Sequence, residues 1–215
     1  MQSDLSRRGK EALRRPITRT KILGVATSMR RNSHSTRTLR ILLEAAQRYG
    51  GETRLLDLKQ VGIPLYDPSN QPAESAAGNI KKISEAVQWA EAFVLASPDY
   101  HGSMSGTMKN FLDYFWEEFA GKTFGYLCTS HEKGLTVMDQ MRTAVRQCYG
   151  WSIPYGISVN GENDFNSKGE ISNSVLSRRL NMLARDLLVY GSLIGEQFRR
   201  DLQGDDPNTF AARYR

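Results

Sequence analysis

The chain has little cysteine, little histidine and no long apolar run. Its two cysteines, Cys128 and Cys148, show no CxxC spacing, which leaves no basis for a disulfide scaffold or a paired-cysteine metal motif. They read as small buried hydrophobes in a reducing, cytoplasmic setting. No segment approaches the ~20 apolar residues that span a bilayer. The arginine pairs near the amino terminus lead into no apolar run, so neither a membrane anchor nor a secretory or twin-arginine signal is expected. GxGxxG, GxxxxGK[ST] and the GxSxG nucleophile elbow are all missing. The "GKT" at 121–123 lacks the upstream glycine of a P-loop and enters a strand rather than a helix. The three histidines, His34, His101 and His131, show no HxH or HxxxH spacing, so a hydrolase metal site built on them with Asp99 or Glu132 has little support.

What is present is a formal charge of +6, unevenly spread. Residues 1–21 hold seven Lys and Arg against Asp4 and Glu11, a net +5, leaving about +1 for the body. The basic character belongs to an amino-terminal extension, so nucleic acid is not an expected partner of the folded surface. Residues 1–20 are expected to be a solvated, flexible extension, 21–198 a single domain and 199–215 a carboxyl-terminal extension on the surface.

Hydrophobic periodicity orders the domain. "KILGVAT" (21–27) is a strand, and Leu39, Leu42, Leu43 and Ala46 stripe a helix over 36–49. "ETRLLDL" (52–58) alternates as a strand, and Ile80, Ile83, Val87 and Ala90 mark a helix. "AFVLASP" (92–98) is nearly continuously apolar, as a strand covered on both faces should be. A helix carrying Met108, Phe111, Leu112 and Phe115 follows, then a strand at 123–129, a helix from Val137 to Cys148 and a strand at 155–160. A last helix, striped by Leu176, Leu180, Leu183 and Leu187, is expected to end at Gly191. Five strands alternating with five helices imply an α/β doubly wound parallel sheet of the flavodoxin-like type, with three α/β/α layers.

Such sheets bind ligands beyond the carboxyl ends of their strands. The loops after the first, third and fourth strands read "SMRRNSHST", "SPDYHGS" and "SHEKG", and all three histidines lie in them. The first places several hydroxyls and Arg30 before a helix, where unpaired backbone N–H groups and an arginine fork suit a phosphate. In the second, Tyr100 offers a planar wall, and the small residues beside it allow close backbone approach to a flat ring.

"TSMRRNSHSTRTL" and "PDYHGS" resemble the phosphate and isoalloxazine loops of the NADPH-dependent FMN reductase family, roughly GSxRxxSxxxxL and PE-Y-N/H-GS. The match covers about residues 20–192, with Thr27 where glycine is usual and Asp99 where glutamate is usual. The resemblance implies FMN and NADPH as cofactors. Ser28, Arg30, Ser33, His34, Ser35 and Thr36 would then surround the FMN phosphate, while Pro98, Asp99, Tyr100, His101 and Gly102 line the flavin and Ser103 starts the next helix. Ser130, His131 and Glu132, in a loop that is glycine-rich in many relatives, would lie at the pyrimidine end. The expected activity is hydride transfer from NAD(P)H to FMN and on to free flavin, a quinone, an azo compound or an oxidised metal ion, with no catalytic side chain required. The alternative is a non-enzymatic, flavodoxin-type electron carrier. "FLDYFWEEF" (111–119) reads as one helix aromatic on more than one face, which suggests a homodimer or homotetramer with Trp116 or Phe119 near the subunit boundary. Core packing is the expected place of Trp151.

Overall fold

The computed structural model describes residues 19–69 and 74–215, so the expected amino-terminal extension lies outside the described residues up to residue 18. Strands β1 (Lys21–Ala26), β2 (Glu52–Asp57), β3 (Ala92–Tyr100), β5 (Thr123–Thr129), β6 (Trp151–Ser152) and β7 (Ile157–Val159) pair in parallel. The order is β2-β1-β3-β5, with β6 and then β7 pairing one after the other along the outer edge of β5. β4 (Ser103–Met104) is an antiparallel addition to β3. Helices α1 (His34–Arg48), α2 (Glu74–Trp89), α3 (Gly106–Asp113), α4 (Leu135–Gln147) and α5 (Ser174–Gln203) make the crossovers and outer layers. The winding reverses between β1 and β3, which locates the crevice at their carboxyl ends. The expected three-layer α/β fold is present. The expected fifth strand, 155–160, is shortened to β7, and β6 is an additional short strand before it.

Alternation along each buried strand divides the core into two. Ile22, Val94, Ala96 and Leu127 face α1 and α5, meeting Leu39, Leu42, Leu180 and Leu187. Leu23, Val25, Phe93, Leu95 and Phe124 face the other layer, meeting Ile83, Val87, Phe111 and Met141. Burial on both faces explains why "AFVLAS" shows no polar alternation.

Four placements differ from expectation. α5 does not stop at Gly191 but runs to Gln203, and a Cβ at that glycine would sit 3.2 Å from both Ala92 Cβ and Thr20 Cγ2. That glycine serves close helix–sheet contact rather than termination. The aromatic run 111–119 is not one helix: α3 ends at Asp113, and a short 3₁₀ turn at Glu117–Phe119 returns Phe119 to the core. Phe119 is fully buried, with ring centroids 5.4 Å from Phe93 and 5.0 Å from Phe124, which removes it from any subunit boundary. Trp116 remains 63% exposed. Trp151 is not core either: it lies on the short edge strand β6 and is 57% exposed. After residue 198 the chain completes α5 and folds back, so that Phe210 and Tyr214 pack on Phe198 and Ala211 is buried. Among the described residues no helix is long and apolar enough to cross a membrane.

Candidate functional site

The in-register pairing of β1, β3 and β5 brings their carboxyl ends to one edge, where a cleft of about 1220 Å³ opens. This exceeds the ~300–1,000 Å³ of ordinary small-molecule pockets and leaves room for more than one ring system. Of the residues expected to form a site, all but Thr36 and Ser103 line it.

The first wall is the turn into α1. Ser33 caps the helix, its Oγ accepting from Thr36 N at 3.2 Å and sharing a 2.8 Å hydrogen bond with Ser35 Oγ. Thr36 therefore acts through its backbone in the cap and is not in the wall. Ser28 is buried at the loop's start, its Oγ accepting from Arg30 N at 3.4 Å. Thr27 is held deeper still: its Oγ1 donates to Ala96 O at 3.1 Å and accepts from Ser105 Oγ at 3.0 Å. The His34 ring packs on Phe165 at 4.8 Å, and its Nδ1 is buried without a protein partner. Burial, then Arg37 and Arg30, lower its pKa and keep it neutral near pH 7.

The second wall is the end of β3, which does not stop at Pro98 but continues to Tyr100 and turns back. Tyr100 pairs with Ser103 across a two-residue hairpin loop, His101 (φ 58°) and Gly102 (φ 75°), both left-handed as such tight turns require. Asp99 holds this turn. Its Oδ1 accepts from Gly102 N at 2.8 Å, and its Oδ2 accepts from Ser130 Oγ at 2.9 Å in the third loop. On the far side Gln140 Oε1 accepts from Ser103 Oγ at 2.9 Å and Met104 N at 3.1 Å. Ser103 is thus directed to α4 and does not start α3. Ser105 does so, accepting from Met108 N at 3.2 Å.

The third wall, residues 130–134, hangs from β7: Ser130 N donates to Val159 O at 3.0 Å, and Asn160 Nδ2 donates to His131 O at 3.1 Å. Gly134 (φ 56°) opens α4, and a Cβ there would lie 2.5 Å from Cys128 Sγ. Desolvation, then the Asp99 charge, push the Cys128 thiol up to about 12, so it is no nucleophile. Thr129 Oγ1, like His34 Nδ1, is buried at the cleft without a protein partner. A fourth segment, Gly161 and Glu162 after β7, completes the lining. It follows a strand's carboxyl end as the other three do, so the strand-end rule extended to the last strand finds it. All three histidines line the cleft, yet no cluster of His, Cys, Asp or Glu among the described residues could hold a metal ion.

Residues 20–164 match the family model described as NADPH-dependent FMN reductase. The chain belongs to that family. The matched span contains all four cleft segments. The chain is 31% identical to the NADPH azoreductase of Bacillus sp. (strain OY1-2) over 119 residues, covering 54% of this chain and 65% of that enzyme, just under two thirds of its length. It is 29% identical to the FMN-dependent NADPH-azoreductase of Staphylococcus saprophyticus over 147 residues, covering 66% and 77%. Among solved structures, the flavoenzyme NAD(P)H:(acceptor) oxidoreductase FerB of Paracoccus denitrificans superposes with a TM-score of 0.66 at 15% identity, covering 81% of this chain and 98% of that one, a likeness of fold. Both departures from the family motifs have local partners: Thr27 ties β1 to β3 and α3 through its hydroxyl, and Asp99 closes a turn and joins two walls.

Proposed function

We propose that the chain is an FMN-dependent NAD(P)H oxidoreductase whose cofactor lies in the cleft, phosphate toward the turn into α1. The observation that carries this is the pairing of a serine-rich helix amino terminus with the left-handed His101–Gly102 hairpin across one large cleft. His34 Nδ1 and Thr129 Oγ1, buried and lacking protein partners, fit polar atoms of such a ligand. Bound FMN supplies a two-electron redox centre that takes hydride from NAD(P)H and delivers electrons to a free flavin, quinone, azo compound or oxidised metal ion.

The protein's part is binding and orientation. Ser28, Arg30, Ser33 and Ser35 offer hydroxyls and a guanidinium to the phosphate, beside the helix amino terminus. Asp99 and Gln140 fix the 101–102 turn from opposite sides, so that its backbone and Tyr100 present a preset wall to the flavin. The 130–134 loop, held by Val159 and Asn160, offers His131 to negative charge at the pyrimidine end. No thiolate or metal is required of the protein. A homodimer or homotetramer with Trp116 at the boundary, in the cytoplasm, belongs to the same reading. The exposed indole and the two free cysteines support it.

The test is a visible absorption spectrum of the purified protein before and after anaerobic NADPH. Flavin bands that bleach are expected. Bands that persist with NADPH point to a carrier served by a separate reductase, and a colourless protein that takes up no added FMN overturns the reading.

A further inference from the structure

Beside the main cleft lies a second cavity of about 350 Å³ that the reading above leaves unused. Lys133 and Leu135 line both, so the 133–135 segment forms the rim between them. Its lining includes the apolar side chains of Leu135, Met138, Val175 and Leu176 and the cations Lys133 and Arg179. Arg179 Nη2 donates to Gly156 O at 2.7 Å, which anchors the guanidinium in the wall. Neither cation is in an ion pair among the described residues. Asp164 also borders the cavity but is buried, and its carboxylate accepts from Asn160 N at 2.7 Å and Asn173 Nδ2 at 2.6 Å. Two cations against this one carboxylate leave the lining net positive.

We propose that this side pocket takes the adenosine 2′-phosphate end of NADPH, with Arg179 and Lys133 selecting NADPH over NADH. The proposal rests on the oxidoreductase reading and names its coenzyme subsite. A dinucleotide whose nicotinamide occupies the main cleft must carry its other end out across a rim, and the shared rim leads into this neighbouring cavity, whose lining joins apolar side chains to two cations. The apolar side chains suit a purine face, and a planar guanidinium matches phosphate oxygens in pairs. NADH presents a ribose hydroxyl at that point and gains neither ionic contact.

The experiment compares kcat/KM for NADPH and NADH, at saturating FMN, in the wild type, Arg179→Met and Val175→Glu. Val175 is half exposed, so a carboxylate is tolerated there and adds repulsion to the pocket without disturbing the core. Arg179→Met should lower the NADPH-to-NADH ratio about tenfold or more, as loss of a charge-assisted hydrogen bond does. Val175→Glu should move it the same way, Arg179→Lys should retain part of the preference, and added salt should erode it. Adenosine 2′-monophosphate should compete with NADPH better than adenosine 5′-monophosphate. An unchanged ratio in both variants, or equal inhibition by the two nucleotides, overturns the assignment while leaving the oxidoreductase reading in place. A wild type that oxidises neither coenzyme overturns both.

Discussion

Replacing Asp99 with alanine removes two hydrogen bonds at once, the one from Gly102 N at 2.8 Å and the one from Ser130 Oγ at 2.9 Å. Each involves an ionised, half-buried acceptor, so the low end of the range for charged groups applies, about 1.5 kcal/mol apiece. The turn they hold contains a left-handed non-glycine residue, His101, whose backbone costs about 1–2 kcal/mol to keep there. Without Asp99 the turn relaxes and must be re-formed when FMN binds. An ordering cost of about 3 kcal/mol then weakens FMN binding about a hundredfold. Asp99→Asn offers an amide oxygen to Gly102 N and an amide N–H to Ser130 Oγ, so it should lie closer to the wild type than to the alanine variant. Quenching of FMN fluorescence on titration into FMN-free protein measures both constants. An alanine variant with wild-type affinity, or an asparagine variant as weak as alanine, would refute the claim that this carboxylate organises the cleft.

Gly134→Ala combines a left-handed φ with a Cβ 2.5 Å from Cys128 Sγ, and should cost about 2–4 kcal/mol in urea unfolding. The cost should shrink in a Cys128→Ala background, and an equal cost in both backgrounds would remove the sulfur contact as its cause. The pKa of His34 is lowered in the fold, so below its ordinary value of 6.5 the unfolded chain binds more protons than the folded one. Stability of the FMN-free protein from this group should be full above pH 6.5 and fall as the pH drops toward the folded value. Denaturant titrations at pH 7.5 and 5 should show a smaller loss in His34→Gln, and an identical loss would exclude His34 as its source.

Much of the fold was legible because parallel strands buried on both faces must be apolar, and because crossover helices must show a 3.6-residue stripe. "AFVLAS" and the leucines of α5 carry those signals plainly. The strand-end rule brought thirteen of the fifteen expected site residues to one cleft, since parallel pairing puts loops distant in sequence on a common edge. The two exceptions have local causes. Thr36 spends its N–H on the Ser33 cap, and Ser103 is drawn to Gln140, a residue 37 positions away that no local pattern links to it.

The sequence by itself determined the order of strands and helices, the three loops that reach the cleft and the family motifs, because each is written in spacing along one segment. Only the tertiary structure decided the rest. It took Phe119 into the core edge-on to the stacked rings of Phe93 and Phe124, and carried α5 past Gly191, where a Cβ would crowd Ala92 and Thr20. It also made Asp99 a clasp between two loops 31 residues apart, and set Arg179 and Lys133 around one cavity. These outcomes depend on which surfaces meet across the sheet. Such contacts arise between segments remote in sequence and leave no periodic trace in either one.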